Sequence, residues 1–424
     1  MTSQTSDAPS VAVIGAGVSG LTAAYVLRRT HRVTLFEADD RLGGHAHTHA
    51  VDNGSGGRVQ VDSGFIVHNE RTYPHFLRLV DELGVRTRPT EMSMSITCDE
   101  CGWSYAGGRG AGGILAQPRR VLEPRFVRML AEVPRFHRRA RAVLADDGDE
   151  ELTWGQFLAR ERFSDAFVQH FATPLVACVW SSGDADALGY PARHLFAFLE
   201  HHGMLTVTGS PTWRTVVGGS RTYVDALAAR LGDVRTATPV TAVTRHHDGV
   251  EVRTADQASH RFDQVVVAVH ADQALKILSD ADDAEHTALA SITYSVNPTW
   301  LHRDTSVLPD APRARASWNH RLRRCGGQES QVLVSYWMNR LQGLDGDDLV
   351  VTLNPAGRVA RDSVVAAMEY AHPVFTPAAV RAAGVLRAAG GPRLAFAGAH
   401  LGWGFHEDGA RSGVLAAEQL GGSW

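Results

Sequence analysis

The sequence predicts an α/β fold, a Rossmann-like parallel sheet interrupted by an inserted α+β domain. Three observations carry this. An apolar strand runs into a glycine-spaced turn and a helix in "VAVIGAGVSGLTAAYVLRR", from Val11. An alternating segment, Thr238 to Val269, closes in a solid apolar strand. A last strand, "RLAFAGA" from Arg393, is followed by a loop and a helix expected from about Ser412. At 424 residues the chain is long enough for two interwoven domains.

The strand Val11–Ile14 leads into Gly15, Gly17 and Gly20, spaced G-x-G-x-x-G. The first glycine permits a tight turn, the second a close approach to pyrophosphate, the third close packing of helix on strand. Val18 and Ser19 open the helix, where unpaired N–H groups face a phosphate. The second strand, "RVTLFEA", ends in Glu37 and Ala38. Glu37 stands at the distance beyond Gly20 from which a carboxylate accepts both ribose hydroxyls. This order of elements predicts a dinucleotide site.

The next residues narrow the dinucleotide. "RLGGHAHTH" and "VDSGF" resemble the second and third fingerprints of the flavin amine oxidase superfamily. The resemblance implies a glutathione-reductase-like, amine-oxidase-type fold and FAD held non-covalently. It places Arg41, Gly43, Gly44 and His45 along the pyrophosphate and ribityl chain, and Asp62, Gly64 and Phe65 on the flavin side. Asp62 has a second reading as a turn-capping aspartate.

The Thr238–Val269 segment resembles the β-meander and returning strand of the same flavin domain, in which Val240 would contact the adenine through its backbone. The flavin domain is thus expected from 1–64, 212–271 and 390–424, and a substrate domain from 65–211 and 272–389. "GGRGAGG", Gly107 to Gly113, reads as a mobile loop. Pro118 to Leu144 interleaves arginines with Phe126, Met129 and Phe136; it reads as a core helix with a solvated arginine face, or as a membrane-surface helix.

Composition narrows the partners. A net charge of -4 gives no reason to expect nucleic acid. Apolar runs are too short for a membrane span, and the lead "MTSQTSDAPS" lacks a signal-peptide pattern, so the expected location is the cytoplasm, with peripheral contact at the inner membrane face. Cys98 and Cys101 form a lone C-x-x-C, which cannot complete a four-ligand zinc site; Cys178 and Cys325 stand far off in the chain. A hairpin tip with reduced thiols is the reading, and no metal is expected. Forty-one arginines stand against a single lysine, Lys276, which removes nearly every candidate for lysine chemistry.

Long stretches, among them "VDSGFIVHNERTYPHFLRLVDELGV", "ASWNH", "YWMNRLQ" and "AGAHLGWGFHEDG", resemble a bacterial flavoprotein family whose genes commonly accompany cyclopropane-fatty-acid synthases. That resemblance implies redox chemistry on a fatty acyl chain; a flavin that takes hydride needs a neighbouring base for the proton, and His68, Glu70, Tyr73, His202 and Tyr336 are candidate catalytic groups, with His201 and His372 as further proton acceptors. Phe196, Phe198, Leu199, Met204, Leu205 and Trp180 would wall an acyl tunnel, or else form ordinary core. Oxidation of a small amine is the alternative; it is weakened because many enzymes of the superfamily set a lysine against the flavin, and Lys276 is poorly placed for that. A non-catalytic partner of a lipid methyltransferase is the third reading. The segment Ala397 to Gly413 reads as the flavin's seat. Gly398, Gly409, Ala410 and Gly413 would allow close backbone approach there, with His400, Phe405, His406, Glu407 and Asp408 beside the cofactor.

Overall fold

The computed structural model describes residues 8–146, 151–181, 183–206, 209–326, 331–355 and 357–424. Most of the N-terminal lead lies outside them.

Five parallel strands form the central sheet, in the order Asp233–Arg235, Arg32–Phe36, Ser10–Ile14, Gln264–Val267, Leu394–Phe396. Because strand side chains alternate, Val11 and Val13 pack on one face while Ala12 and Ile14 pack on the other. Both faces are covered, which is why these strands read as unbroken apolar runs. Helices Val18–Leu27, Pro74–Leu83 and His406–Gln419 share the first core. The meander Val240–His246, Gly249–Thr254, Ser259–Phe262 contributes to the second.

Helices Ala271–Ile277, Asp283–Ala290 and Pro377–Ala388 also pack on that second face through Ala274, Leu289 and Leu386. The sequence boundaries assign them to the substrate domain. They pack instead on the nucleotide sheet, whose lower face needs a helical layer beside the meander.

The inserted region carries a seven-stranded sheet in the order Val364–Val374, Thr293–His302, Val350–Leu353, Val334–Trp337, Trp318–Leu322, Met94–Cys98, Ser104–Gly107. Its pairs are antiparallel except Trp318–Leu322 with Met94–Cys98. Beside it, helices Pro124–Ala145, Trp154–Arg160 and Ala192–His201 surround an aromatic core that includes Phe136, Trp154, Phe157 and Phe196.

Two expectations change. The C-terminal helix starts at His406, not near Ser412, so His406, Glu407 and Asp408 form its first turn. "GGRGAGG" is not a free loop: it ends a strand at Gly107 and enters the helix Gly110–Ile114. Pro118 to Leu144 is a short 3-10 turn followed by a long helix that buries Phe126, Met129, Phe136 and Ala140. No helix among the described residues is long and apolar enough to cross a membrane.

Candidate active site

A cavity of about 780 Å³ opens at the carboxyl ends of the central strands, where open α/β sheets receive ligands. It runs from Glu37, Ala38 and Val240 past the glycine turn to Tyr336 in the inserted sheet.

The glycine turn fits a dinucleotide. A side chain at Gly15 would press on the Ala268 carbonyl at 2.6 Å, and one at Gly20 on the Gly15 carbonyl at 1.9 Å, so those two glycines set strand, turn and helix together. A side chain at Gly17 would meet nothing within 4 Å, and Gly17 lines the cavity: its openness admits a ligand. Val18 and Ser19 follow at the helix N-terminus, which no side chain caps. The second turn is laid on the first. Gly43 N–H donates to the Ala16 carbonyl at 2.8 Å, and Gly44 lies against the Gly17 Cα. Beside them a guanidinium nitrogen of Arg41 is buried without a partner, the arrangement an anionic diphosphate satisfies. Glu37 accepts from the Ala16 N–H at 2.7 Å and the Asp39 N–H at 3.0 Å, which fixes its carboxylate at the cavity rim.

Gly64, Phe65, Gly398, His400, Phe405 and His406 reach the cavity; Asp62, Glu407, Asp408, Gly409 and Gly413 do not. Asp62 is spent internally. It accepts from the Ser220 N–H and hydroxyl and from the Gln342 amide, all within 3.0 Å, and so ties the end of strand Arg58–Asp62 to two distant segments. Burial nevertheless pushes its carboxyl up to about 6. Glu407 caps another helix, accepting from the His75 N–H at 3.1 Å and the Phe76 N–H at 3.0 Å. Asp408 accepts from the Phe405 N–H at 3.0 Å at the start of its own helix. Gly409 and Gly413 serve helix packing: added side chains would meet Val18 at 2.5 Å and the Ser19 carbonyl at 2.3 Å.

Buried imidazoles surround the middle of the cavity. His45 lies 5.9 Å from His270 and 5.5 Å from His372, ring to ring. Burial first, and mutual repulsion second, depress these groups: His372 to about 4, His400 and His406 to about 3, and His45 well below its ordinary value. They are neutral at pH 7.

At the far end Met92, Val179, Trp180, Phe198, Trp213 and Trp318 form an apolar wall. Trp180 and Phe198 were expected there. Phe196, Leu199 and Leu205 instead pack in the aromatic core, and Met204 packs against it. Among the catalytic candidates, Tyr73, His202 and Tyr336 line the cavity. His68 is fully buried outside the lining, against Phe76 at 5.1 Å. Glu70 sits at the surface, ion-paired to Arg214 at 2.9 Å. His202 donates from Nδ1 to the Phe198 carbonyl at 3.0 Å, which leaves Nε2 as the acceptor. Burial draws its pKa down to about 4.

Sequence reasoning missed Met92, Trp213, His270, Tyr294, Trp318 and Tyr370 in the lining. Trp318 and Tyr336 are register partners on neighbouring strands, with rings 5.2 Å apart, so strand alternation in "ASWNH" and "VSYW" was the available signal. Lys276 touches the rim at the Glu37 end, with its side chain 75% exposed and 3.6 Å from Asp272.

The comparisons agree with this architecture. Polyamine oxidase 4 of Oryza sativa subsp. japonica is 26% identical over 325 residues, 72% of this chain and 61% of its own. Carotenoid phi-ring synthase of Streptomyces griseus is 27% identical over 285 residues, 62% of this chain and 53% of its own. The chain therefore spans between half and two thirds of these curated relatives. Among solved structures, cyclohexylamine oxidase from Brevibacterium oxydans IH-35A superposes with a TM-score of 0.72 at 17% identity, covering 97% of this chain and 98% of that one. A CLA-producing fatty acid isomerase from P. acnes gives 0.67 at 18% identity, covering 98% and 99%. The family model for flavin containing amine oxidoreductases matches residues 18–421, and the chain belongs to that family of flavin-dependent oxidoreductases.

Proposed function

We propose that the protein oxidises a fatty acyl chain by hydride removal, using FAD held non-covalently by the cradle around Gly17. One observation carries the substrate reading. The far end of the cavity is walled by Met92, Val179, Trp180, Phe198, Trp213 and Trp318, and none of the carboxylates among the described lining residues, Glu37, Asp39 and Glu369, is buried. An acyl chain needs apolar walls and few polar anchors, whereas an ammonium substrate calls for a buried acid. The fold shared with a fatty acid isomerase supports the same reading. None of the four cysteines lines the cavity, which supports non-covalent binding.

When bound, FAD supplies a two-electron acceptor for hydride leaving carbon. The chain's own residues do the rest. The helix N-terminus at Val18 and the Arg41 guanidinium hold the diphosphate, and Glu37 accepts from the ribose. Trp180, Phe198 and Trp213 exclude water from the reacting carbon. His202, neutral and open at Nε2, takes the proton that leaves the substrate. Tyr336, whose ionisation burial suppresses, keeps its proton as a donor.

Amine oxidation is the second reading, favoured by the family and by the polyamine and cyclohexylamine oxidase matches. Lys276 gives it no help, because that ammonium lies at the Glu37 end. The test is anaerobic photometry of the flavin-loaded protein against phospholipids, free fatty acids and small amines. Bleaching by an acyl lipid is the expected result; bleaching by amines alone overturns the proposal.

A lipid substrate also gives meaning to a surface patch. Val121, Leu122 and Val127 are exposed beside Arg119, Arg125 and Arg128, and Leu122 is 81% exposed. Apolar side chains ringed by arginines suit the surface of an anionic bilayer.

A further inference from the structure

We infer that Cys98, Cys101, Cys325 and His170 form a structural zinc site. The C-x-x-C pair does not stand alone, as the sequence suggested. The chain brings Cys325, from the loop after strand Trp318–Leu322, and His170, from the turn Val168–Ala172, to the tip of the hairpin that carries Cys98 and Cys101. The four ligand atoms lie within 4.8 Å of one another.

Three of the spacings match those of a tetrahedral zinc site. Zinc bound at about 2.3 Å to sulfur and about 2.0 Å to nitrogen sets tetrahedral neighbours roughly 3.8 Å apart for S···S and roughly 3.5 Å apart for S···N. Here Cys98 Sγ and Cys325 Sγ are 3.6 Å apart, Cys101 Sγ lies 3.4 Å from His170 Nε2, and Cys325 Sγ lies 3.5 Å from the same nitrogen. The imidazole is already oriented. Its Nδ1 lies 3.3 Å from the Ala166 carbonyl, which keeps the proton on Nδ1 and presents Nε2 as a ligand. The Tyr105 hydroxyl donates to the His170 carbonyl at 2.6 Å, holding the turn from behind. Cys98, Cys101 and Cys325 are in no disulfide. Three thiols lose their protons to solvent as Zn²⁺ binds, and no electron is exchanged. Four protein ligands leave no open position, so the ion is structural and takes no substrate.

The site lies away from the cavity but bears on it. The turn holding His170 has π-helical geometry and runs straight into helix Thr173–Trp180, whose last residues Val179 and Trp180 form part of the cavity wall. An ion at its start would tie that helix to the large sheet through two separate segments of chain.

The test uses full-length protein purified under reducing conditions without chelator, with metal counted by plasma mass spectrometry. The expected content is about one zinc per chain, and cobalt substitution should give the visible spectrum of a tetrahedral thiolate site. Cys325→Ser should lose the ion. His170→Cys should keep it, which separates coordination from a general effect on folding, and Cys178→Ser should keep it as the control. Reduced wild-type protein that emerges metal-free after incubation with zinc overturns the inference. So does a Cys98–Cys325 disulfide in a metal-free protein, or equal loss from Cys178→Ser and Cys325→Ser.

Discussion

Phe65 and His406 lie face to face, with ring centroids 3.6 Å apart and planes 6° from parallel. The imidazole Nε2 is also 2.7 Å from the Tyr223 hydroxyl. This contact joins the segment after strand Arg58–Asp62 to the first residue of the C-terminal helix, and both rings line the cavity. His406→Leu removes the stack and leaves the Tyr223 hydroxyl buried without that partner, a loss of about 1–3 kcal/mol. A lower melting temperature and faster flavin loss are expected in thermal and gel-filtration assays; an unchanged protein would refute the assignment.

Stability should fall on acidification from about pH 6.5 to pH 4. His68, His202, His302 and His372 are drawn to about 4, and His400 and His406 to about 3, chiefly by burial. Each has a folded pKa below its unfolded value, so its contribution is present above about 6.5 and is lost as pH drops through the folded value. Asp62 and Asp408 act with the opposite sign, because burial lifts them to about 6 and about 7; their contributions fade as pH rises. The histidines outnumber them. Urea midpoints measured across this range decide the matter.

His68→Phe isolates one of these groups. Both ring nitrogens of His68 are buried without partners among Phe65, Tyr73 and Phe76. The variant should be more stable near pH 4 by on the order of 3 kcal/mol relative to its effect at neutral pH. Its turnover should match wild type, since His68 does not line the cavity. A large fall in turnover with the fold intact would return His68 to the catalytic candidates.

Gly413→Ala should be worse than Gly409→Ala. The first would drive a methyl into the Ser19 backbone carbonyl, which cannot turn aside; the second meets a γ-methyl of Val18. Overpacking of about 1–3 kcal/mol is expected for Gly413→Ala, with weakened flavin retention, because Ser19 belongs to the helix start that faces the diphosphate. Equal behaviour of the two variants in flavin release and melting would count against this ranking.

Two acids should separate by flavin affinity. Glu37→Gln should weaken FAD binding by roughly tenfold or more, the size of one lost charge-assisted hydrogen bond. Glu70→Gln should leave both affinity and turnover unchanged, since Glu70 pairs with Arg214 at the surface. Fluorescence titration of the apoprotein reads the first, and steady-state rates the second.

Leu122→Asp should reduce sedimentation with anionic phospholipid vesicles and leave binding to neutral vesicles low, as in wild type. Undiminished binding to anionic vesicles would remove the patch from the lipid argument.

The nucleotide cradle was legible because its meaning is local: strand, glycine spacing, helix and acid follow one another within Val11 to Glu37. What escaped was set by partners remote in sequence. Asp62 and Glu407 stand beside cofactor motifs, yet their hydrogen bonds go to Ser220, Gln342 and His75. Cys325 and His170 meet the C-x-x-C pair only after the sheet has formed. The helix start at His406 was hidden by Gly409 and Gly413, which weaken intrinsic helix preference but let two helices approach. The same tertiary packing overrode that preference.

The central sheet takes its edge strand from Leu394–Phe396, and the first helix takes its neighbour from His406–Gln419. During synthesis, the earliest part of the chain must therefore wait for some of the last before its nucleotide cradle is complete. An interrupted chain ending before Leu394 would expose one flank of the Val18–Leu27 helix and an unpaired strand at Gln264–Val267. Quality control that recognises exposed apolar surface would thus discriminate unfinished from finished molecules at the point where flavin capture begins.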